Sequence, residues 1–266
     1  MHFKKVLKMR TSTYILCLTF FWMTSATKLS GRIIGGQPAL YGQFPFAAAI
    51  YVHKTDGLYF CGGTLISNQW VLTAGQCVDG ATLFTIQLGS NFLDRNDPYR
   101  VTVATSESFP HPEFDPLTLQ NDVGLIKLRL PIEYSDYIRQ IRFLPTYRLQ
   151  DAAPTIAIGW GQTSDEDTGF AEELMRVNLT TLSTNECKLT YGSQVTEDMV
   201  CVAGNYNEGS CIGDIGSPLL QFVGREYYLV VGTASFLSAN GCESTDPSGY
   251  TRTFSYISWI KNITGV

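Results

Sequence analysis

The chain has 266 residues, a formal net charge of −5, and 44 % hydrophobic against 16 % charged residues. That apolar content over this length supplies a packed core and excludes a disordered chain. The acidic balance, with a pI near 5.2, leaves no electrostatic footprint for nucleic acid as a partner.

Taken in chain order, the first segment is basic at Lys4, Lys5, Lys8 and Arg10, then apolar over residues 14–23, then small at Thr24, Ser25 and Ala26. The apolar run is too short to span a bilayer, so residues 1–26 read as a secretory signal peptide cut after Ala26, and an extracellular protein without a membrane span is expected. Cys17 leaves with that segment. The remaining Cys61, Cys77, Cys187, Cys201, Cys211 and Cys242 form an even set, which in a secreted chain implies disulfides, although spacing alone does not choose their pairing. No metal site or cofactor is expected, because there is no Cys-x-x-Cys pair and only His53 and His111 lie beyond the signal. Asn178-Leu179-Thr180 and Asn262-Ile263-Thr264 fit the N-glycosylation acceptor pattern.

From residue 33 onward, short β-rich runs recur between turn residues: "FAAAIYVH", "LYFCGGTLIS", "QWVLTA", "TLFTIQLG", "YRVTVATS", "VGLIKLRL", "TIAIGWG", "REYYLVVGTAS" and "SGYTRTF". Such spacing predicts an all-β sandwich or barrel rather than βαβ units. "SDEDTG" at 164–169 reads as a solvated loop. The one helix predicted is the last segment, where Phe254, Ile257, Ile260 and Ile263 recur every three residues. No repeat and no Pro/Ser-rich linker divides the chain.

Four stretches belong together: "RIIGG" at 32–36, "CGGTLISNQWVLTAGQC" at 61–77, "NDVGLIKL" at 121–128 and "GSCIGDIGSPLL" at 209–220. In this order they resemble the chymotrypsin-like (trypsin-type) serine protease family over essentially everything after the signal, and "RIIGGQPALYGQFPF" is most similar to secreted insect members. The resemblance implies two packed antiparallel six-stranded β-barrels with a C-terminal α-helix. A propeptide at 27–32 would precede a domain at 33–266, with the first barrel at roughly 33–140, the second at roughly 141–250 and the helix at roughly 253–264.

The family's triad aspartate corresponds to Asp122, whereas the histidine of its "TAAHC" corresponds to Gln76 and the serine of its "GDSGGP" to Ile215. A hydrocarbon has no lone pair to attack a carbonyl, and an amide does not exchange protons near neutral pH, so an inactive homologue is implied. His53, His111 and Ser217 are not placed to restore the chemistry. The Gln76 amide is expected to donate to Asp122, which is otherwise an unpaired buried carboxylate.

By the same resemblance, cleavage after Arg32 frees an Ile33 amine to pair with Asp214. Gly209, Ser235, Phe236, Leu237 and Ser248 mark the former specificity pocket, expected to be narrowed or filled, and Gly213 and Ile215 the former oxyanion hole. The cysteines pair as Cys61 with Cys77, Cys187 with Cys201, and Cys211 with Cys242. The implied function is that of a binding protein, cofactor or decoy whose partner is a protease, zymogen, inhibitor or other secreted protein, with a separate protease cutting after Arg32. A secreted endopeptidase of unusual or residual activity is the alternative, and a carbohydrate- or surface-binding protein a third reading.

Overall fold

The computed structural model describes residues 35–203, 208–224 and 226–266, and among these fourteen strands form two sheets. In chain order β1 (Gln37–Pro38) is followed by β2 (Ala47–Lys54), β3 (Gly57–Ser67), β4 (Trp70–Thr73), the short helix α1 (Gly75–Val78), β5 (Ala81–Leu88), β6 (Val101–Thr105), β7 (Glu107–Pro110) and β8 (Gly124–Lys127). The first sheet has the order β6-β5-β2-β3-β4-β8-β7, and its two end strands are continuous in sequence through Ser106.

The second half holds β9 (Pro154–Gly159), β10 (Met175–Leu182), helix α2 (Thr184–Tyr191), β11 (Met199–Val202), β12 (Pro218–Val223), β13 (Tyr227–Phe236), β14 (Ser248–Arg252) and helix α3 (Ile257–Thr264). Strands β9 to β14 close a six-stranded antiparallel barrel, because β10 pairs with both β9 and β11. The fold is therefore the all-β, chymotrypsin-like one. Period-two alternation makes it: along β10 Met175, Val177 and Leu179 are buried, while Asn178 and Thr180 face out. Ile50, Leu65, Leu72, Phe84, Ile86 and Leu125 fill the first sheet's core, and Met175, Val200, Leu219, Val231 and Tyr250 that of the second.

Three details differ from the sequence reading. Helix α2 was not predicted, yet Ser183 and Glu186 form a full capping box at its start. The C-terminal helix begins at Ile257, after a 3-10 turn over Thr253–Tyr256, so Phe254 falls outside its apolar stripe and is exposed, whereas Ile260 is fully buried. The N-terminal segment does not stay with the first sheet: β1 pairs with β10 of the second. Disulfides join Cys61 to Cys77, Cys187 to Cys201 and Cys211 to Cys242. No helix among the described residues is long and apolar enough to cross a membrane.

Candidate functional site

The seam between the sheets gathers residues from α1, the approach to β8, and β13. Asp122 lies there with no exposure to solvent. Its Oδ1 accepts the Gln76 backbone N–H at 2.8 Å, and its Oδ2 accepts the Gln76 Nε2 amide at 2.6 Å and the Ser235 hydroxyl at 2.6 Å, with the Gly75 N–H a fourth donor. Burial raises the Asp122 carboxyl above the ordinary carboxylate range, and the bonds from Ser235, Gln76 and Gly75 oppose that rise. The Gln76 amide spends its second N–H on the Ser235 carbonyl at 2.8 Å. Both of its donors are thus used on buried acceptors, and the amide that faces Asp122 is itself not a base.

The loop carrying Ile215 is held through its backbone. The Ile215 carbonyl accepts the Gly62 N–H at 2.8 Å, and the Gly216 N–H donates to the Ala234 carbonyl at 2.9 Å, which ties the turn to both sheets. Gly216 has φ +85°, and a Cβ there would stand 2.3 Å from Thr73 Oγ1, so only glycine fits. Neither tie involves the side chain at 215. That is why the Gly-Asp-x-Gly turn survives around a residue with no reactive atom. Ser217 is buried, with its Oγ directly over the Cα of Gly62, and so is turned away from the cleft.

Ile215 lines a cavity of about 210 Å³ together with Gln76, Tyr59, Phe60, Ile212 and Leu237. Ile212 at 58 % and Phe170 at 42 % exposure continue this apolar surface outward, Phe170 stacked on Phe60 at 4.6 Å between ring centres. Around Ile215 the side chains of Ile212, Phe60 and Leu237 make this wall hydrocarbon, with Gln76 and Lys54 as its polar members.

The family model described as Trypsin matches residues 33–260. The chain belongs to the trypsin family. It is 32 % identical over 234 residues to brachyurin from Leptuca pugilator, covering 88 % of this chain and 99 % of that one. It is 34 % identical over 241 residues to collagenase from Hypoderma lineatum, covering 89 % and 88 %, and 32 % identical over 249 residues to serine protease 1 from Drosophila melanogaster, covering 91 % and 89 %. A solved structure of HL collagenase superimposes with a TM-score of 0.79 at 32 % identity, covering 88 % of this chain and 99 % of that one.

Within this trypsin-family frame, Asp214 is the second buried carboxylate. It accepts the Gly161 N–H and the Cys211 N–H, each at 2.8 Å, and glycine at 159 and 161 leaves the room it fills. Burial pushes its pKa up to about 7, against the pull of those two bonds. No carboxylate-to-cation pair among the described residues includes it. Arg32 and Ile33 lie outside the described residues.

The residues expected to mark the specificity pocket do not gather as the sequence suggests. Ser248 is buried, and its Oγ lies 3.6 Å from where a Cβ on Gly209 would stand. Phe236, in contrast, does not reach Gly209: its ring lies over Gly249 and edge-on to Tyr191 at 5.1 Å, lining a separate cavity of about 230 Å³ with Leu117 and Met199. The register of β13 against β14 explains this: it shifts by one residue between Ala234 and Phe236, so Ser235 is the extra residue that bonds Asp122 while Phe236 pairs with Gly249 and covers it. Leu237 lines both cavities.

Two further contacts had no sequence signal. Lys54 Nζ donates to the Gln76 carbonyl at 3.0 Å and lies 5.6 Å over the Tyr59 ring, which places a cation at the rim of the apolar cavity. The 164–169 loop is not simply solvated, because Asp165 accepts the N–H groups of Cys242 and Glu243 and so fastens one rim loop to another.

Proposed function

We propose that the chain is a secreted, non-catalytic trypsin-family homologue that acts by binding a protein partner in extracellular proteolysis. One observation carries the reading. The group that meets the buried Asp122 is the Gln76 amide, at 2.6 Å, and the side chain across the cleft is Ile215. By the family's motif pattern these are the triad positions, so the general base is an amide and the nucleophile a hydrocarbon. In enzymes of this kind, loss of either group alone lowers turnover by on the order of a millionfold.

In this reading, residues 1–26 direct secretion, a protease cuts after Arg32, and the freed Ile33 amine pairs with Asp214, whose buried carboxylate otherwise has only two N–H donors. The rim loops and the apolar cavity face the partner, which is a protease, zymogen, inhibitor or other secreted protein. Asn178 is exposed on β10 and Asn262 on α3, so both acceptor sites are open to glycosylation. The relatives' names, collagenase, brachyurin and serine protease, support the rival reading of a working endopeptidase. Hydrolysis of a broad peptide library before and after cleavage at Arg32 separates the two. No turnover above a mock-purified control is expected in either state, and turnover that rises on cleavage would overturn the proposal.

A further inference from the structure

We infer that a cavity between residues 142–147, strand β13 and helix α3 is a binding site for an amphipathic organic anion, an aromatic group bearing a carboxylate or sulfonate. The cavity measures about 460 Å³, and Arg142, Phe143, Tyr147, Tyr227 and Lys261 are among its lining residues. That volume falls inside the range of about 300 to 1,000 Å³ at which small organic ligands are enclosed. None of these residues borders the cleft around Gln76 and Ile215, so the site is separate from the one described above.

The cation that defines it is held ready. The Arg142 guanidinium lies 5.2 Å from the Phe143 ring centre and 5.6 Å from that of Tyr227, and those two rings meet edge-on at 5.2 Å. Contact with ring faces orients a guanidinium while leaving its in-plane N–H donors free for an oxyanion. Among the described residues, Arg95, Arg139 and Arg148 each meet a carboxylate, whereas Arg142 meets none, and neither does Lys261 on the same cavity. Two cations, neither within ion-pair distance of a carboxylate among the described residues, thus line one aromatic cavity whose lining also includes Val266 with the terminal carboxylate, so the cations outnumber the anion there.

The apolar half of the ligand also has a place. Phe143 at 47 % and Tyr147 at 43 % exposure offer ring surface to a visitor, and the buried Leu229 contributes apolar lining. Arg142 also borders a larger cavity of about 840 Å³, but there Arg139 is already neutralised by Asp136 at 3.1 Å. The charge complementarity therefore favours an anion on the aromatic side.

Titration calorimetry of the full secreted chain with naphthalene-2-sulfonate tests the site, with naphthalene-2-methanol as the uncharged ring. The sulfonate is expected to bind one per chain, roughly tenfold tighter than the alcohol, and Arg142→Gln is expected to weaken it by about tenfold. Lys261→Gln should cost about threefold and raised salt should weaken binding further, while Ile212→Ala in the cleft should change nothing. Absence of sulfonate binding, equal binding of the alcohol, or binding untouched by both Arg142→Gln and Lys261→Gln would overturn the inference. Thermal melting of each variant confirms that it is folded, and the salt dependence on the unsubstituted chain decides the matter if Arg142→Gln is not.

Discussion

At Asp122, four donors and no cation surround a carboxylate without solvent, and the amide of Gln76 supplies the donor on the cleft side. Gln76→Ala should therefore destabilise the fold by about 1–3 kcal/mol, the usual cost of leaving a buried polar group short of a partner, read as a lower urea midpoint. An unchanged midpoint would show that Gln76 is not structural. Asp214 makes a prediction in pH. Its folded pKa, about 7, lies above the unfolded carboxylate value, so the folded state binds more protons between roughly pH 4 and 7. The stability contribution is complete below that window and is lost as pH rises through it, by up to roughly 1.4 kcal/mol per pH unit. The uncleaved chain should lose stability from pH 5 to pH 8 more steeply than the chain cleaved after Arg32, in which an amine is available to hold the carboxylate charged. Parallel pH profiles for the two forms would contradict the pairing.

At the scale of elements, the 213–217 turn is fixed by backbone bonds to Gly62 and Ala234 and by glycine at 216. Gly216→Ala should cost about 2 kcal/mol or more, because it adds a Cβ against Thr73 and Gly62 at a positive φ, whereas Ile215→Ser should leave the turn in place. Circular dichroism melts of the two variants check this contrast. Ser183→Ala, which removes the α2 capping box, should cost about 1 kcal/mol. That box, a serine followed three residues later by glutamate, and the alternation of Met175, Val177 and Leu179 in β10 are local signals that the reading of the sequence did not use. The placement of Phe236 over Gly249 follows from the register shift at Ser235, which depends on the pairing of β13 with β14 and on a contact to Asp122 far away in sequence. The pairing of β1 with β10 and the bond from Lys54 to the Gln76 carbonyl are likewise tertiary, with no local periodicity to announce them.

Across the whole molecule, the two sheets keep the trypsin-family architecture, and on the proposed reading Gln76 and Ile215 stand at their seam where the family's base and nucleophile would be. The fold depends on core alternation, disulfides and glycine turns, none of which needs a reactive side chain. Motif order made the family readable from the sequence, and it also singled out Gln76 and Ile215, since such residues stand out only against a pattern that expects others. The surface features were not readable, because loop contacts such as Asp165 with Cys242 and the cavity at Arg142 arise from packing. The most direct measurement is to cleave the chain after Arg32, expose it to a fluorophosphonate that phosphonylates activated serines with release of fluoride, and map any adduct by mass spectrometry, with the Gln76→His, Ile215→Ser double variant alongside. The account predicts no adduct on the unsubstituted chain and labelling at position 215 only in the double variant. An adduct on any serine of the unsubstituted chain, accompanied by peptide turnover that the reagent abolishes, would contradict it.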